Sequence, residues 1–304
     1  GAKGKVVDPS PFERINLILD DTERTTNGEV FAQRAVVVTE ALKAHEKEPH
    51  EIAMAEAMAA WFRQCPIIIY PHDLIVGTLG CVKKGAPIFP EFGLDWIIDE
   101  MEQGLLGYHP TEHQNDYFSH TEECYQELKA IQSYWSDKNV PSRFKALLTP
   151  EEVKLTPAGE GKVFMADSYC TCGAGHLGAN MDLVFGGYGK IRQSIIERLE
   201  SLDETDPETP KKRVALQAQL IANRGASDMI RRYAEKAREM AAGEKNAQRK
   251  KELEQIAENC DQVAEGSPKT FWQALQAMHF AHTMILMESN GHSISYGRFD
   301  QYMW

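Results

Sequence analysis

The chain is 304 residues long, enough for one large domain or two ordinary ones and for a substantial core. Apolar residues make up 42% and charged residues 26%, the composition of an ordinary globular protein. The net charge of −12 argues against a nucleic-acid or anionic-membrane partner, since neither phosphates nor acidic lipids attract such a surface.

In chain order, EVFAQRAVVVTEALKAHE (29–46) and EIAMAEAMAAWFRQ (51–64) carry Ala, Met, Leu and Glu at helical spacing and are predicted helices. IIIYPHDLIVGTLG (67–80) is β-branched, contains Pro71 and reaches two glycines, so it reads as extended backbone or a short hairpin. The apolar run CPIIIY (65–70), ended by Pro71, is far too short to cross a bilayer, which takes roughly 20 apolar residues. GAPIFPEFG (85–93) reads as a loop, 94–103 and 119–135 as helices, and TPEEV (149–153) as a helix start with proline in its first turn. Residues 156–190 hold eight glycines and cannot form one regular helix. Helix returns at 189–203, breaks at 204–212, runs from 213 to about 242, and recurs at 246–263. The last helix, 269–287, is apolar on nearly every side, as a deeply buried helix is.

The N-terminus lacks the apolar core of a secretion signal. The six cysteines (65, 81, 124, 170, 172, 260) are scattered and read as reduced cytosolic thiols rather than a disulfide framework. Cys170 and Cys172 lack the second pair or the histidines of a zinc finger, so no metal site is expected there.

The buried helix feeds directly into ESNGHSISYGRFDQYMW (288–304). Polar groups delivered to an interior cost free energy unless paired or used. His292 and Ser293 therefore read either as a turn that satisfies nearby backbone or as a pair that binds a hydroxyl-bearing substrate. His176, set among the glycines of GAGHLGAN, is the second candidate, against a loop histidine. His279 and His282 lie three apart, without the H-E-x-x-H pattern, and read as core or supporting histidines rather than a metal pair. GGYG (186–189) matches no dinucleotide or phosphate loop. RRYAEKAREMA (231–241) reads as a solvated charged face, and Arg298 with Asp300 as an ion pair shaping a turn.

Several pieces, in order, resemble glycyl radical enzymes of the pyruvate formate-lyase-like superfamily. They are RAVVVTEALKAHE (34–46), IIIYPHDLIVGTLG, PIFPEF (87–92), IQSYW (131–135), GAGH (173–176), RRYAEKAREMA, RKKELEQIAENC (249–260), TFWQALQ (270–276) and the segment from 288. The resemblance covers residues 12–304, and ESNGHSIS looks most like the B12-independent glycerol and propanediol dehydratases.

The resemblance implies a mainly α chain with few strands, the N-terminal helical portion of a ten-stranded α/β barrel. It implies a C–O lyase whose thiyl cysteine and radical glycine come later than these residues, so that this chain alone is expected to be catalytically incomplete. The glycyl radical would sit on a residue outside the chain, with no B12 and no metal. Implied partners are a small-molecule substrate, a radical S-adenosylmethionine activating enzyme and a second subunit of a homodimer, in the cytoplasm, with no nucleic acid and no membrane. By the same resemblance His176 donates a proton to a departing hydroxyl, and His292 and Ser293 hold the substrate's other hydroxyl. Asn180 and Met181 stand where many relatives carry aspartate and tyrosine, so Asn180 is expected in the substrate pocket and the substrate stays open among diols, choline, isethionate and hydroxyproline. The competing reading is a helical binding or scaffold module without radical chemistry.

Overall fold

The structure, a computed structural model, describes residues 11–24, 28–104, 118–155, 177–291 and 294–303. The stretch ending at His176, the Cys170/Cys172 pair, His292 and Ser293 lie outside the described residues. The described chain is mainly helical with few, short strands, as predicted.

The core forms where five helices meet: α2 (Gln33–Ala44), α3 (His50–Gln64), α10 (Thr209–Gly243), α11 (Ala247–Glu265) and α12 (Phe271–Ser289). Val38, Trp61, Ile230, Tyr233, Ile256 and Phe280 are buried at their junction. Full burial of each large apolar side chain stabilises by about 1.5–3 kcal/mol. α12 is buried along most of its length, as its all-round apolar sequence predicts.

The charged stretch 231–241 departs from expectation. Arg231, Lys236 and Arg238 make surface pairs with Glu265, Glu239 and Asp261. Tyr233, Ala234 and Ala237, on the other side of the same helix, are completely buried. Alanine packs helices closely, so an alanine-rich charged helix has a core face as well as a wet one.

Three strands were not anticipated as strands. β1 (Gly28–Phe31) lies between β2 (Gly85–Pro87) and β3 (Phe118–Ser119), all parallel, with Glu29 opposite Gly85 and Gly28 opposite Phe118. The predicted helix at 29–46 therefore starts as a strand and turns helical only at Gln33, because pairing with residues far along the chain outweighs local preference. The predicted loop at 85–93 supplies β2 and a short 3-10 turn, Pro90–Phe92. β3 precedes α5 (Glu122–Trp135), whose start is set by Thr121 Oγ1 accepting from the Cys124 amide at 3.1 Å.

Around the core, α1 (Pro11–Arg24) is tied down by Arg14, which donates to the His72 carbonyl at 3.1 Å and to Glu252 at 2.5 Å. α4 (Asp95–Gln103) packs on α5, and α6 (Val140–Lys145) and α7 (Pro150–Leu155) follow. α8 (Met181–Gly186), inside the glycine-rich tract, and α9 (Tyr188–Glu200) lead to α10, which begins at Thr209, within the predicted break.

The GGYG run joins α8 to α9, and its glycines serve packing. Gly187 has φ +90°, and a Cβ there would lie 2.6 Å from the Glu265 carbonyl oxygen. Ser267 Oγ donates to the Gly186 carbonyl at 3.0 Å, and Asn223 to the Tyr188 carbonyl at 3.1 Å. The glycines let this turn lie against the end of α11.

Residues 66–80 form no strand: the chain turns at Pro71–His72 and bends at 74–75 and 79–80, and no strand among the described residues pairs with it. Their backbone groups are satisfied by side chains from the helices, as buried peptide groups require. The Gln276 amide accepts from Val76 N at 2.9 Å and donates to Val76 O at 2.7 Å, replacing a strand neighbour. Thr78 N donates to the Tyr233 hydroxyl at 2.9 Å, Trp272 Nε1 to Leu74 O at 2.8 Å, and Arg249 to Tyr70 O and Asp73 O.

Candidate active site

The site grows from the C-terminal end of α12. The last carbonyls of a helix lack intrahelical partners. Here the wholly buried Arg34 side chain on α2 supplies them: Nε donates to Met287 O at 2.8 Å and Nη2 to Glu288 O at 3.5 Å. The same guanidinium makes a two-pronged pair with Glu91, at 2.6 and 3.0 Å, and its plane lies 3.9 Å from the centre of the Phe89 ring. A buried charge needs this degree of pairing to be tolerated. Arginine also suits a helix C-terminus, where its charge meets the negative end of the dipole.

Beyond Arg34 the chain turns through Asn290, in the left-handed region at φ 46°. It then reaches β5 (Ile294–Ser295), which pairs in parallel with β4 (Leu177–Gly178). Leu177 stands opposite Ile294 and Gly178 opposite Ser295, and Ala179 N donates to Ser295 O at 3.0 Å. Neighbouring strands lie about 4.8 Å apart. Just past β5, the Tyr296 hydroxyl meets His282 Nδ1 on α12. Burial pushes the Tyr296 hydroxyl up and the His282 imidazolium down from their ordinary values, with nearby His279 adding to the latter.

Two cavities flank the end of α12. One, of about 330 Å³, is bounded by Val30, Ile88, Phe89, Trp96 and Phe118 and reaches Asn290. The other, of about 410 Å³, is lined by Glu288 with Glu91, Tyr134, Lys138 and Arg143. Glu288 is exposed in surface terms, yet the protein around its carboxyl strips away enough water to raise its pKa, against the pull of Arg34.

Of the residues singled out in the sequence, His176, His292 and Ser293 lie outside the described residues. Asn180 is exposed and caps α8, its side-chain oxygen accepting from Leu183 N at 3.4 Å. Met181, beside it, is fully buried and packs inward. His279 and His282 take separate hydrogen-bonding roles, His279 Nε2 with Gly77 O at 3.0 Å and His282 with Tyr296. Among the described residues no group of three or more His, Cys, Asp or Glu side chains has the arrangement of a metal site. Cys65, Cys81, Cys124 and Cys260 are buried free thiols. Arg298 and Asp300 are both exposed and do not pair with each other; Arg298 instead stands at the N-cap of α13 (Phe299–Tyr302).

Sequence reasoning missed Arg34, Glu91 and Tyr296. A signal existed for the first two. Arg34 opens the otherwise apolar RAVVV, and Glu91 is the one charge in PIFPEF.

Comparisons with known proteins agree with this architecture. The chain is 38% identical over 299 residues to a (2S)-3-sulfopropanediol dehydratase of Klebsiella oxytoca, covering 98% of this chain and 36% of that protein. It superposes on the glycerol-bound B12-independent glycerol dehydratase of Clostridium butyricum with a TM-score of 0.87 at 33% identity, covering 100% of this chain and 37% of that one. For the Roseburia inulinivorans structure concerned with 1,2-propanediol dehydration the TM-score is 0.88 at 30% identity, covering 98% and 34%. The chain thus spans about a third of the length of the curated relatives it matches, and its structural neighbours are glycyl radical enzyme barrels. No helix among the described residues is long and apolar enough to cross a membrane. The pyruvate formate lyase-like family model matches residues 9–304, and the chain belongs to that family of glycyl radical enzymes.

Proposed function

We propose that this chain is the N-terminal part of a glycyl radical C–O lyase that dehydrates a small vicinal diol, glycerol or propane-1,2-diol, to an aldehyde. One observation carries the reading. In the β4–β5 register the residue following His176 is the cross-strand partner of the residue following Ser293. Segments over a hundred residues apart in sequence therefore meet at Leu177–Gly178 and Ile294–Ser295, which supports a shared substrate pocket. The likeness to dehydratases of diols supports the same choice.

The radical, on a residue outside this chain, supplies hydrogen-atom abstraction from the carbinol carbon. The residues of this chain would do the polar work. Hydroxide is a poor leaving group, so its C–O bond breaks readily only if a proton arrives and water departs. His176 would hold that proton, which histidine does well near neutral pH. His292 and Ser293 would hydrogen-bond the other hydroxyl and fix which carbon faces the radical. Asn180 would border the pocket through its amide. A radical S-adenosylmethionine activating enzyme, a homodimeric assembly and a cytoplasmic setting belong to the same proposal.

A second reading is favoured by a specific residue. Asn180 is neutral where many relatives carry a carboxylate, and a neutral amide does not repel an anion. A sulfonated diol, the substrate class named for the Klebsiella oxytoca relative, is the alternative.

The test is an anaerobic assay of the full-length, activated protein against glycerol, propane-1,2-diol, 3-sulfopropanediol, choline, isethionate and hydroxyproline. We expect diol turnover that vanishes in His176→Ala while electron paramagnetic resonance still shows the glycyl radical. Undiminished turnover in that variant refutes the assigned role. Asn180→Asp keeps the α8 cap. It should raise KM for the sulfonated diol about tenfold more than for glycerol if the anion lies near, because juxtaposed like charges repel.

A further inference from the structure

Cross-strand partners in a sheet share a face, so Gly178 and Ser295 face one side of the β4–β5 pair and Leu177 and Ile294 the other. Gly178 and Ser295 are both exposed. A Cβ added at Gly178 would meet no heavy atom of the described residues within 4 Å, its two chain neighbours aside, and its backbone lies outside the left-handed region. Gly85 and Gly225, by contrast, are crowded: a Cβ would lie 2.7 Å from the Val82 carbonyl oxygen and 2.8 Å from Ala59 Cα. Neither backbone angle nor packing of the described residues therefore asks for glycine at 178. Glycine weakens a strand, and inside one it often marks a close approach by a ligand or another backbone. The surroundings are firm. Ala179 N donates to Ser295 O at 3.0 Å, Met181 at the start of α8 is fully buried, and Phe185 on α8 meets Tyr302 on α13 edge to face, ring centres 6.4 Å apart. Ser295 Oγ accepts from the Gly297 amide at 3.4 Å, and a hydroxyl that accepts keeps its own proton to donate.

We infer that this open face is the wall of the pocket that selects the third carbon of the substrate: Gly178 leaves room for the substituent there, and Ser295 hydrogen-bonds an oxygen on it. The inference rests on the reading that His176 protonates the departing hydroxyl and that His292 and Ser293 hold the other. His176 and Ser293 are each two residues from this face, at most about 7 Å along the backbone. With the two hydroxyls held by those neighbours, the remaining carbon of a three-carbon diol is the part left for Gly178 and Ser295 to meet. Both residues are uncharged, which suits a methyl or hydroxymethyl group. Their role is to discriminate between substrates, not to move a proton or an electron.

The experiment compares the full-length, activated protein with its Gly178→Ala and Ser295→Ala variants on ethane-1,2-diol, propane-1,2-diol and glycerol. Ethane-1,2-diol lacks the third carbon. In Gly178→Ala we expect kcat/KM for propane-1,2-diol to fall about tenfold relative to that for ethane-1,2-diol, the effect of one misplaced methyl group in a fitted space. In Ser295→Ala, kcat/KM for glycerol should fall about tenfold relative to that for propane-1,2-diol, because only glycerol offers an oxygen on the third carbon. The unfolding midpoint of Gly178→Ala in denaturant is read beside these ratios and should match the parent's. A lowered midpoint shows that another part of the protein packs on Gly178, and overturns the inference. An unchanged ratio in Gly178→Ala overturns the clearance, and an unchanged ratio in Ser295→Ala overturns the hydrogen bond. The reading beneath fails by a different result: parental turnover in His176→Ala sinks it whatever the ratios do, and an activated parent that turns over none of the three diols sinks both.

Discussion

Two irregular parts of the chain, 66–80 and the passage from the end of α12 to Tyr296, are both fastened to α12, but to different degrees. The first is stitched along its length. Gln276 brackets the Val76 peptide on both sides, His279 meets Gly77, Trp272 holds Leu74, and Tyr233 and Arg249 reach in from α10 and α11. The second is held at its two ends by Arg34 and Tyr296 and by a two-residue parallel pairing. The difference separates two uses of irregular backbone. A stretch with most of its polar groups satisfied by neighbours is part of the scaffold. A stretch that leads from a helix end into a parallel strand pair brings distant segments of the chain together, as binding loops commonly do.

The comparison can be broken most severely at Gly80. Its φ is +79°, and a Cβ would lie 2.5 Å from the Trp61 ring. Gly80→Ala should cost about 3 kcal/mol, from backbone strain and overpacking together. A fall in the unfolding midpoint in denaturant measures it, and an unshifted midpoint would mean that segment 66–80 is not rigidly seated. Gln276→Leu comes next. It keeps volume but leaves both polar groups of Val76 unpaired in a buried position, for a loss of roughly 1–3 kcal/mol. If the first stretch is scaffold only, the folded fraction of either variant should retain the parental KM. A large KM change with little loss of stability would reverse the roles assigned to the two stretches.

The smallest and sharpest probe is Tyr233. Burial pushes its hydroxyl up to about 12, against the opposing hydrogen bond from Thr78. A folded-state value above the ordinary 10 means that the native protein keeps this proton after the unfolded chain has lost it. Stability from this group is therefore complete below pH 10 and lost as pH rises from about 10 to 12. Tyr233→Phe should cost about 1 kcal/mol at neutral pH, through the unpaired Thr78 amide, and remove this residue's part of the alkaline decline. Unfolding midpoints at pH 8 and pH 11 test both effects, and an equal decline in the variant and the parent would show that other buried phenols and thiols dominate.

Much of the helical scaffold was legible because its signal is local. The apolar spacing of 51–64 and 246–263 and the largely apolar stretch 269–287 gave helices within a few residues of those observed. Strand β1 was not legible, since nothing in GEVF distinguishes the first turn of a helix from a strand until residues 85–87 and 118–119 arrive beside it. The hidden face of 231–241 failed for a related reason: alanine is neutral in sequence pattern but decisive where helices touch. For the site, position after a buried helix singled out 288–295, the flanking glycines singled out His176, and the resemblance added Asn180. Neither could reveal Arg34, whose partners Glu91 and Met287 lie 57 and 253 residues away.

By itself the sequence determined the helical class, the buried character of α12, the non-helical course of 67–80 and, through ordered short motifs, the family. These follow from periodicity, residue shape and local likeness, which act over a few residues. Only the tertiary structure decided that Leu177 and Ile294 are strand partners, that an arginine from α2 caps α12, and that side chains replace a missing strand along 66–80. Each of these joins groups distant in the chain, and burial makes them obligatory: a carbonyl, a guanidinium or an amide removed from water must find a partner wherever the fold provides one.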